Sequence, residues 1–438
     1  MKLSKYNFLR KYDHTTVFFN SMTCALAIVD ENFLRVYNDV EHGTYDESKY
    51  DTKLIDDMKL SGCIINDDTD ELRLIQFYRN QSKYDTSSLG LTIAPTLACN
   101  FRCKYCFENH PSGNMSKEVQ SALIEFAKRY TQNAKDLSVT WYGGEPLIAR
   151  DIVYSLSEKF LELCNLHHID YSAFIITNGS LLTDSDIEAF KKYHIRGAQI
   201  TLDGPKEIHD SRRPSCNGES SFDKLITNIN SLLNNDLDVI VRVNVDKDNI
   251  SYCKDLLWTL KTTIDRYDLL KIDFGKVAAF TDICRSIESS CYDAEQYADI
   301  LLPLYDKVIS MGFSMNKMTV YPSVKYNYCC ADYVNSFVVD VDGFLYKCWN
   351  QVGMPESSCG KVNESSTSVS NNFLSWIQRT PIENKECQQC KMLPICMGGC
   401  PDLSRKTGDE RPVCDTIKFN LDKVIEFYYE HLKGDVVA

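Results

Sequence analysis

Leu89-Gly-Leu-Thr-Ile-Ala-Pro-Thr-Leu-Ala-Cys99-Asn-Phe-Arg-Cys103-Lys-Tyr-Cys106 runs from a short apolar, strand-like segment into a loop that carries three cysteines. A helical pattern follows at 117–131, so this stretch opens a β-then-α unit. The same alternation continues to about residue 300. Strand-like runs lie at 91–94, 138–141, 173–176, 198–202, 239–245 and 272–277, and helical runs at 117–131, 152–164, 184–193, 221–234 and 252–262. Strands separated by helices imply a parallel sheet with its sites at the strand C-terminal ends. The expectation is an α/β fold, a partial (β/α)6 TIM-like barrel over residues 89–300.

The flanking regions differ from this core. Residues 1–88 hold β-like runs at 15–19, 25–29 and 33–37, then helical patterns near 49–59 and 70–79, which suggests a small winged-helix-like module. The polar stretch 81–88 reads as a linker. Residues 301–438 lack the alternation, are rich in cysteine and polar residues, include the nearly low-complexity stretch 357–372, and close with an amphipathic helix at about 415–433.

Composition narrows the class of function. At 438 residues with 44% apolar content, the chain is long enough for about three domains with real cores. A net charge of -13 excludes a field that favours nucleic acid or an anionic membrane. No apolar run approaches the ~18 residues of a membrane span, and the start has no signal-peptide core, so a cytoplasmic protein without a membrane partner is expected. The anomaly is 19 cysteines in a compartment where disulfides are rare and clustered cysteines more often bind metal. Three thiolates on one short loop suit three irons of a cubane and leave a fourth iron open. Zinc is the competing metal, but no second C-x2-C pair lies nearby.

With its C-x3-C-x2-C loop after a first strand, the chain resembles the radical S-adenosylmethionine superfamily. Trp141-Tyr142-Gly143-Gly144-Glu145-Pro146 is similar to the family's GGE motif, and Thr177-Asn178-Gly179 to its ribose-side turn. Thr201-Leu202-Asp203-Gly204-Pro205 with His209-Asp210-Ser211-Arg212-Arg213 resembles its SLDGP and HDxxR segment. The resemblance implies a [4Fe-4S] cluster on Cys99, Cys103 and Cys106, and S-adenosyl-L-methionine held by Gly143, Gly144, Glu145, Thr177, Asn178, Asp203 and Arg213, with Tyr105 against the adenine. The implied chemistry is reductive cleavage of that cofactor to a 5'-deoxyadenosyl radical, which takes hydrogen from an unactivated C–H bond. Each motif alone also reads as an ordinary turn or a solvated charge; four in order at strand ends are far more specific.

The tail resembles the seven-cysteine SPASM domain, which binds two auxiliary [4Fe-4S] clusters, three clusters in all. Carried over by position, auxiliary cluster I uses Cys329, Cys348 and Cys400, with Cys330 an alternative or additional ligand. Auxiliary cluster II uses Cys387, Cys390, Cys396 and Cys414. Zinc ribbons are the alternative, but two C-x2-C pairs would be expected and the tail has one. Either a fourth cysteine completes cluster I or one iron stays open, where a substrate thiolate could bind. Asp340 and Asp342 read as part of the turn before Gly343, and eight further cysteines receive no role.

The whole arrangement resembles thioether-forming maturases of ribosomally made peptides. It implies a precursor peptide whose leader adds as a strand to the N-terminal module, and a reductant such as flavodoxin or ferredoxin. The alternatives are carbon-carbon or carbon-oxygen crosslinking, epimerisation, or sulfatase maturation to formylglycine. A metal-stabilised peptide-binding or electron-carrier protein is the non-enzyme alternative. Sulfatase-maturing enzymes carry an aspartate after the cysteine corresponding to Cys348; this chain has Trp349.

Overall fold

The computed structural model describes residues 1–12, 14–131, 134–314, 320–364, 369–407 and 413–435. The chain divides into two compact units, each built from separated segments. Residues 1–83, 317–329 and 379–438 form the first, and residues 84–316 and 330–378 the second.

In the first unit, β1 (Lys2–Leu3) pairs with β5 (Ile64–Ile65), and β2 (Asn7–Tyr12), β3 (Thr15–Asn20) and β4 (Ala25–Val29) form an antiparallel sheet in that order. Three helices follow: α1 (Glu31–Glu41), α2 (Thr52–Leu60) and α3 (Glu71–Lys83). The β-like reading of 33–37 is corrected here, because those residues lie in α1. Phe33, Val36 and Val40 recur at helical spacing and are buried, and the Asp30 side chain accepts from Phe33 N at 2.9 Å as the N-cap. α3 runs to Lys83 and so takes up the start of the expected linker.

The tail residues of this unit supply its second core. Phe8, Val17 and Phe19 pack with Ile395 and with Leu421, Ile425 and Tyr429 of the C-terminal helix Ile417–Asp435, and Tyr6 and Ile75 pack with Ile382, Leu393 and Met397. The buried Arg79 on α3 donates to the Arg379 carbonyl at 2.7 Å. Apolar burial thus ties residues near the start of the chain to residues near its end.

The second unit is built on one sheet in the order β11-β10-β9-β8-β7-β6-β12-β13-β14. β6 (Ser88–Ile93), β7 (Asp136–Trp141), β8 (Asp170–Thr177), β9 (Ile195–Thr201), β10 (Asp238–Val245) and β11 (Lys271–Lys276) are parallel neighbours. Between them run α4 (Lys117–Thr131), α5 (Arg150–His167), α6 (Asp184–Lys192), α7 (Lys206–Arg212), α8 (Phe222–Asn234) and α9 (Cys253–Thr263). All six expected strands are present. Val239, Val241, Val243 and Val245 of β10 are fully buried, alternating with half-exposed residues, as a sheet with one fully covered face requires. Among the described residues no closed barrel forms: on its other side β6 pairs in parallel with β12 (Ser336–Val339), which pairs antiparallel with β13 (Phe344–Tyr346), and β13 with β14 (Gly360–Lys361). Of the low-complexity stretch 357–372, residues 365–368 lie outside the described residues.

Candidate radical-chemistry site

The cysteine loop leaves β6 and is clamped by the turn after β7. Gly143 has φ +115°, and a Cβ there would stand 2.4 Å from Thr96 O; one on Gly144 would stand 2.3 Å from Leu97 O and 2.4 Å from Ala98 O. These glycines let the turn close on the backbone just before Cys99. Gly144 N donates to Thr96 O at 3.3 Å and Glu145 N to Ala98 O at 2.9 Å.

Glu145 is fully buried and turned toward the next strand end. Its carboxylate accepts from Leu147 N at 3.0 Å, Thr177 Oγ1 at 2.7 Å and Asn178 N at 2.7 Å. Burial pushes its pKa up, and the three donors pull against that. Asn178 reaches back to the cysteine loop through Asn100 Oδ1 at 2.8 Å. The GGE turn, the Thr177-Asn178-Gly179 turn and the cysteine loop therefore form one hydrogen-bonded assembly.

Tyr105 is the second hub. Its hydroxyl donates to Asp203 Oδ2 at 2.5 Å and accepts from Arg213 Nη1 and from Asn244 Nδ2 at 3.1 Å. Asp203 is fully buried; burial raises its pKa, and the Arg213 and Arg212 guanidinium groups oppose the rise. Arg212 grips Asp246 with two bonds of 3.0 and 2.8 Å. Arg213 is buried over the Phe101 and Tyr105 rings, and its Nε has no hydrogen-bond partner among the described residues. A buried cationic N–H left without a partner beside the cysteine loop suits an anionic group such as a cofactor carboxylate. His209 is buried and held neutral, its pKa depressed to about 3 by burial and by Arg213, so it acts as a core imidazole.

The three thiols of the loop are partly buried. Burial pushes Cys99 and Cys106 up to about 12 and raises Cys103 as well, so the metal must displace protons on binding. Phe101 N donates to Cys99 Sγ at 3.4 Å, and His110 places Nε2 3.4 Å from Cys106 Sγ and Nδ1 3.1 Å from Leu97 O. Among the described residues no three His, Cys, Asp or Glu side chains gather around a single metal ion. A cubane takes each thiolate on its own iron, so its ligands stand apart.

Sequence reasoning missed Asn100 inside the cysteine loop, Glu108 and His110 just after it, and Asn244, which meets the loop only on folding. Glu108 is 8% exposed, its Oε2 has no hydrogen-bond partner among the described residues, and burial raises its pKa to about 7. Beside it Tyr142 meets the Trp349 ring edge-on, with centroids 5.1 Å apart.

In the first unit, Cys387, Cys390, Cys396 and Cys414 line one pocket with Glu386, Gly398 and Lys418. Cys329 and Cys400 also belong to this unit, both close enough to Tyr328 to raise its pKa further than burial alone, while Cys330 and Cys348 belong to the second unit. Asp340 is structural: it accepts from Asp342 N, Phe344 N and Tyr346 Oη at 3.0, 3.0 and 2.8 Å.

The Radical SAM superfamily model matches residues 93–257. A cysteine-type anaerobic sulfatase-maturating enzyme of Clostridium novyi is 25% identical over 77% of this chain and 96% of its own length. The radical SAM cyclopropyl synthase TigE of Paramaledivibacter caminithermalis is 24% identical over 97% of this chain and 95% of its own. Among solved structures, Streptococcus suis SuiB bound to S-adenosylmethionine shares the fold at a TM-score of 0.55 and 18% identity, covering 93% of this chain and 97% of that one. SuiB has also been solved bound to the precursor peptide SuiA.

Proposed function

Residues 93–257 are a radical SAM domain, and from that premise we propose that the chain is a peptide maturase that joins a cysteine sulfur to a carbon of another residue in a ribosomally made precursor. When bound, the reduced [4Fe-4S] cluster and S-adenosyl-L-methionine supply the radical that removes hydrogen from a peptide C–H bond. Cys99, Cys103 and Cys106 would hold the cluster. Arg213 would take the cofactor carboxylate on its unpartnered Nε, and Asp203 with Asn244 fixes Tyr105 beside it. The assembly of Glu145, Thr177 and Asn178 keeps the loop and turns in register, which fixes where the radical is aimed.

Two auxiliary clusters complete the proposal. One is on Cys387, Cys390, Cys396 and Cys414. For the other, the ligands expected from sequence are Cys329 or Cys330, Cys348 and Cys400. The N-terminal module, with β4 at the edge of its sheet, would take the leader as an added strand, and a flavodoxin- or ferredoxin-like protein would supply electrons.

The observation that carries the thioether reading is Trp349. Where sulfatase maturases are expected to place a proton-accepting aspartate after the cysteine, this chain packs an indole against Tyr142. The test is co-expression with a cysteine-containing precursor followed by mass spectrometry. The expected product is lighter by the mass of two hydrogens, with one cysteine no longer labelled by iodoacetamide. A product of that mass in which every cysteine still labels overturns the thioether.

Sulfatase maturation is the second reading. Likeness to the Clostridium novyi enzyme favours it, as does Glu108, a buried carboxyl beside Tyr142 that could accept the proton in place of the missing aspartate. An aldehyde formed in a sulfatase-derived cysteine peptide, detected with a hydrazine probe, would select this reading.

A further inference from the structure

Lys418 lines the same pocket as Cys387, Cys390, Cys396 and Cys414, and its ammonium donates to Cys414 Sγ at 3.1 Å. It is the second residue of the C-terminal helix Ile417–Asp435. The N-terminal turn of a helix carries the positive end of its dipole, so a lysine there is electrostatically misplaced unless an anion faces it. In this pocket the groups that face it are the Cys414 and Cys390 sulfurs, and the Glu386 carboxylate adds to their pull. The ammonium brings its positive charge onto the Cys414 sulfur.

Resting on the proposed cluster at these four cysteines, we infer that Lys418 is a positioning residue that sets that cluster's reduction potential through its N–H···S bond to Cys414. Adding an electron makes a thiolate-ligated cluster more negative. A cation and hydrogen-bond donor on a ligand sulfur therefore stabilise the reduced state more than the oxidised one and raise the potential. The lysine is exposed, so its loss leaves the core intact.

The test uses the full-length chain reconstituted without oxygen, and follows by electron paramagnetic resonance the reduced-cluster signal that S-adenosylmethionine does not perturb and that Cys390→Ala removes. Iron per chain is measured in parallel. At the potential that half-reduces this cluster in the unsubstituted protein, Lys418→Met should show a reduced-to-oxidised ratio lower by about threefold or more, while Lys418→Arg restores it. Unchanged reduction in Lys418→Met at full iron content overturns the inference. Should Lys418→Met lose iron, Lys418→Gln is read by the same two criteria. Failure of the underlying cluster reading looks different: Cys390→Ala would then retain all the iron of the unsubstituted protein.

Discussion

At the scale of single residues, Glu145 bonds within the protein, joining two strand ends with three accepted hydrogen bonds. Glu145→Gln turns an amide donor toward a backbone donor such as Asn178 N and should cost about 1–3 kcal/mol, read as a lower urea midpoint. Gly144→Ala would drive a Cβ into the Leu97 and Ala98 carbonyls. The backbone before Cys99 must then move, and the reconstituted protein should lose about four irons per chain while keeping its fold by circular dichroism. Glu108 carries a pH signature. Its carboxyl stays protonated up to about 7 in the fold against about 4.5 in the unfolded chain, so its neutral burial is unpenalised below 4.5 and stability is lost as pH rises toward 7. The loss is on the order of 3 kcal/mol. Glu108→Gln should therefore raise the anaerobic melting temperature at pH 8 and change it little at pH 4.5. The motif glycines and Glu145 were legible in the sequence as a turn; their packing against the backbone before Cys99 was not, because it joins Gly143, Gly144 and Glu145 to the distant Thr96, Leu97 and Ala98.

At the scale of elements, the six strands and most helices of the second unit were legible because their apolar periods are unbroken. The failure at α1 has a simple cause: 33–37 is a short apolar run that fits either period, and the Asp30 cap decides it. α6 shows how an end is held. The buried Asp186 carboxylate accepts from Thr183 N and Oγ1, from Arg150 Nη1 and from Tyr154 Oη. Asp186→Ala should destabilise by about 1–3 kcal/mol, visible in denaturant unfolding, because it leaves the Thr183 and Tyr154 donors without their acceptor, while Arg150 keeps the Leu147 and Leu181 carbonyls. At the sheet edge, Ile28 on β4 is 58% exposed. Ile28→Asp should shift stability by less than about 0.5 kcal/mol yet weaken binding of a leader peptide several-fold by fluorescence anisotropy.

At the scale of the whole molecule, two compact units are each assembled from segments far apart in sequence, and the cysteines are shared between them. Cys216 is exposed, whereas Cys63, Cys164, Cys253, Cys284 and Cys359 are buried in the ordinary manner of small apolar side chains. Composition, cysteine spacing and four ordered motifs by themselves determined the parallel α/β core and the likeness of residues 93–257 to the radical SAM superfamily. Those features depend on local period and residue type, which the chain writes in one dimension. Tertiary structure alone decided that β12 to β14 extend the sheet past β6 and that Glu108 stands beside Tyr142. It also decided that Arg213 keeps a buried nitrogen without a partner among the described residues, and that Lys418 shares one pocket with four cysteines. Each of these depends on which distant segments share a core, and that follows from the three-dimensional burial of apolar surface, which no local pattern records.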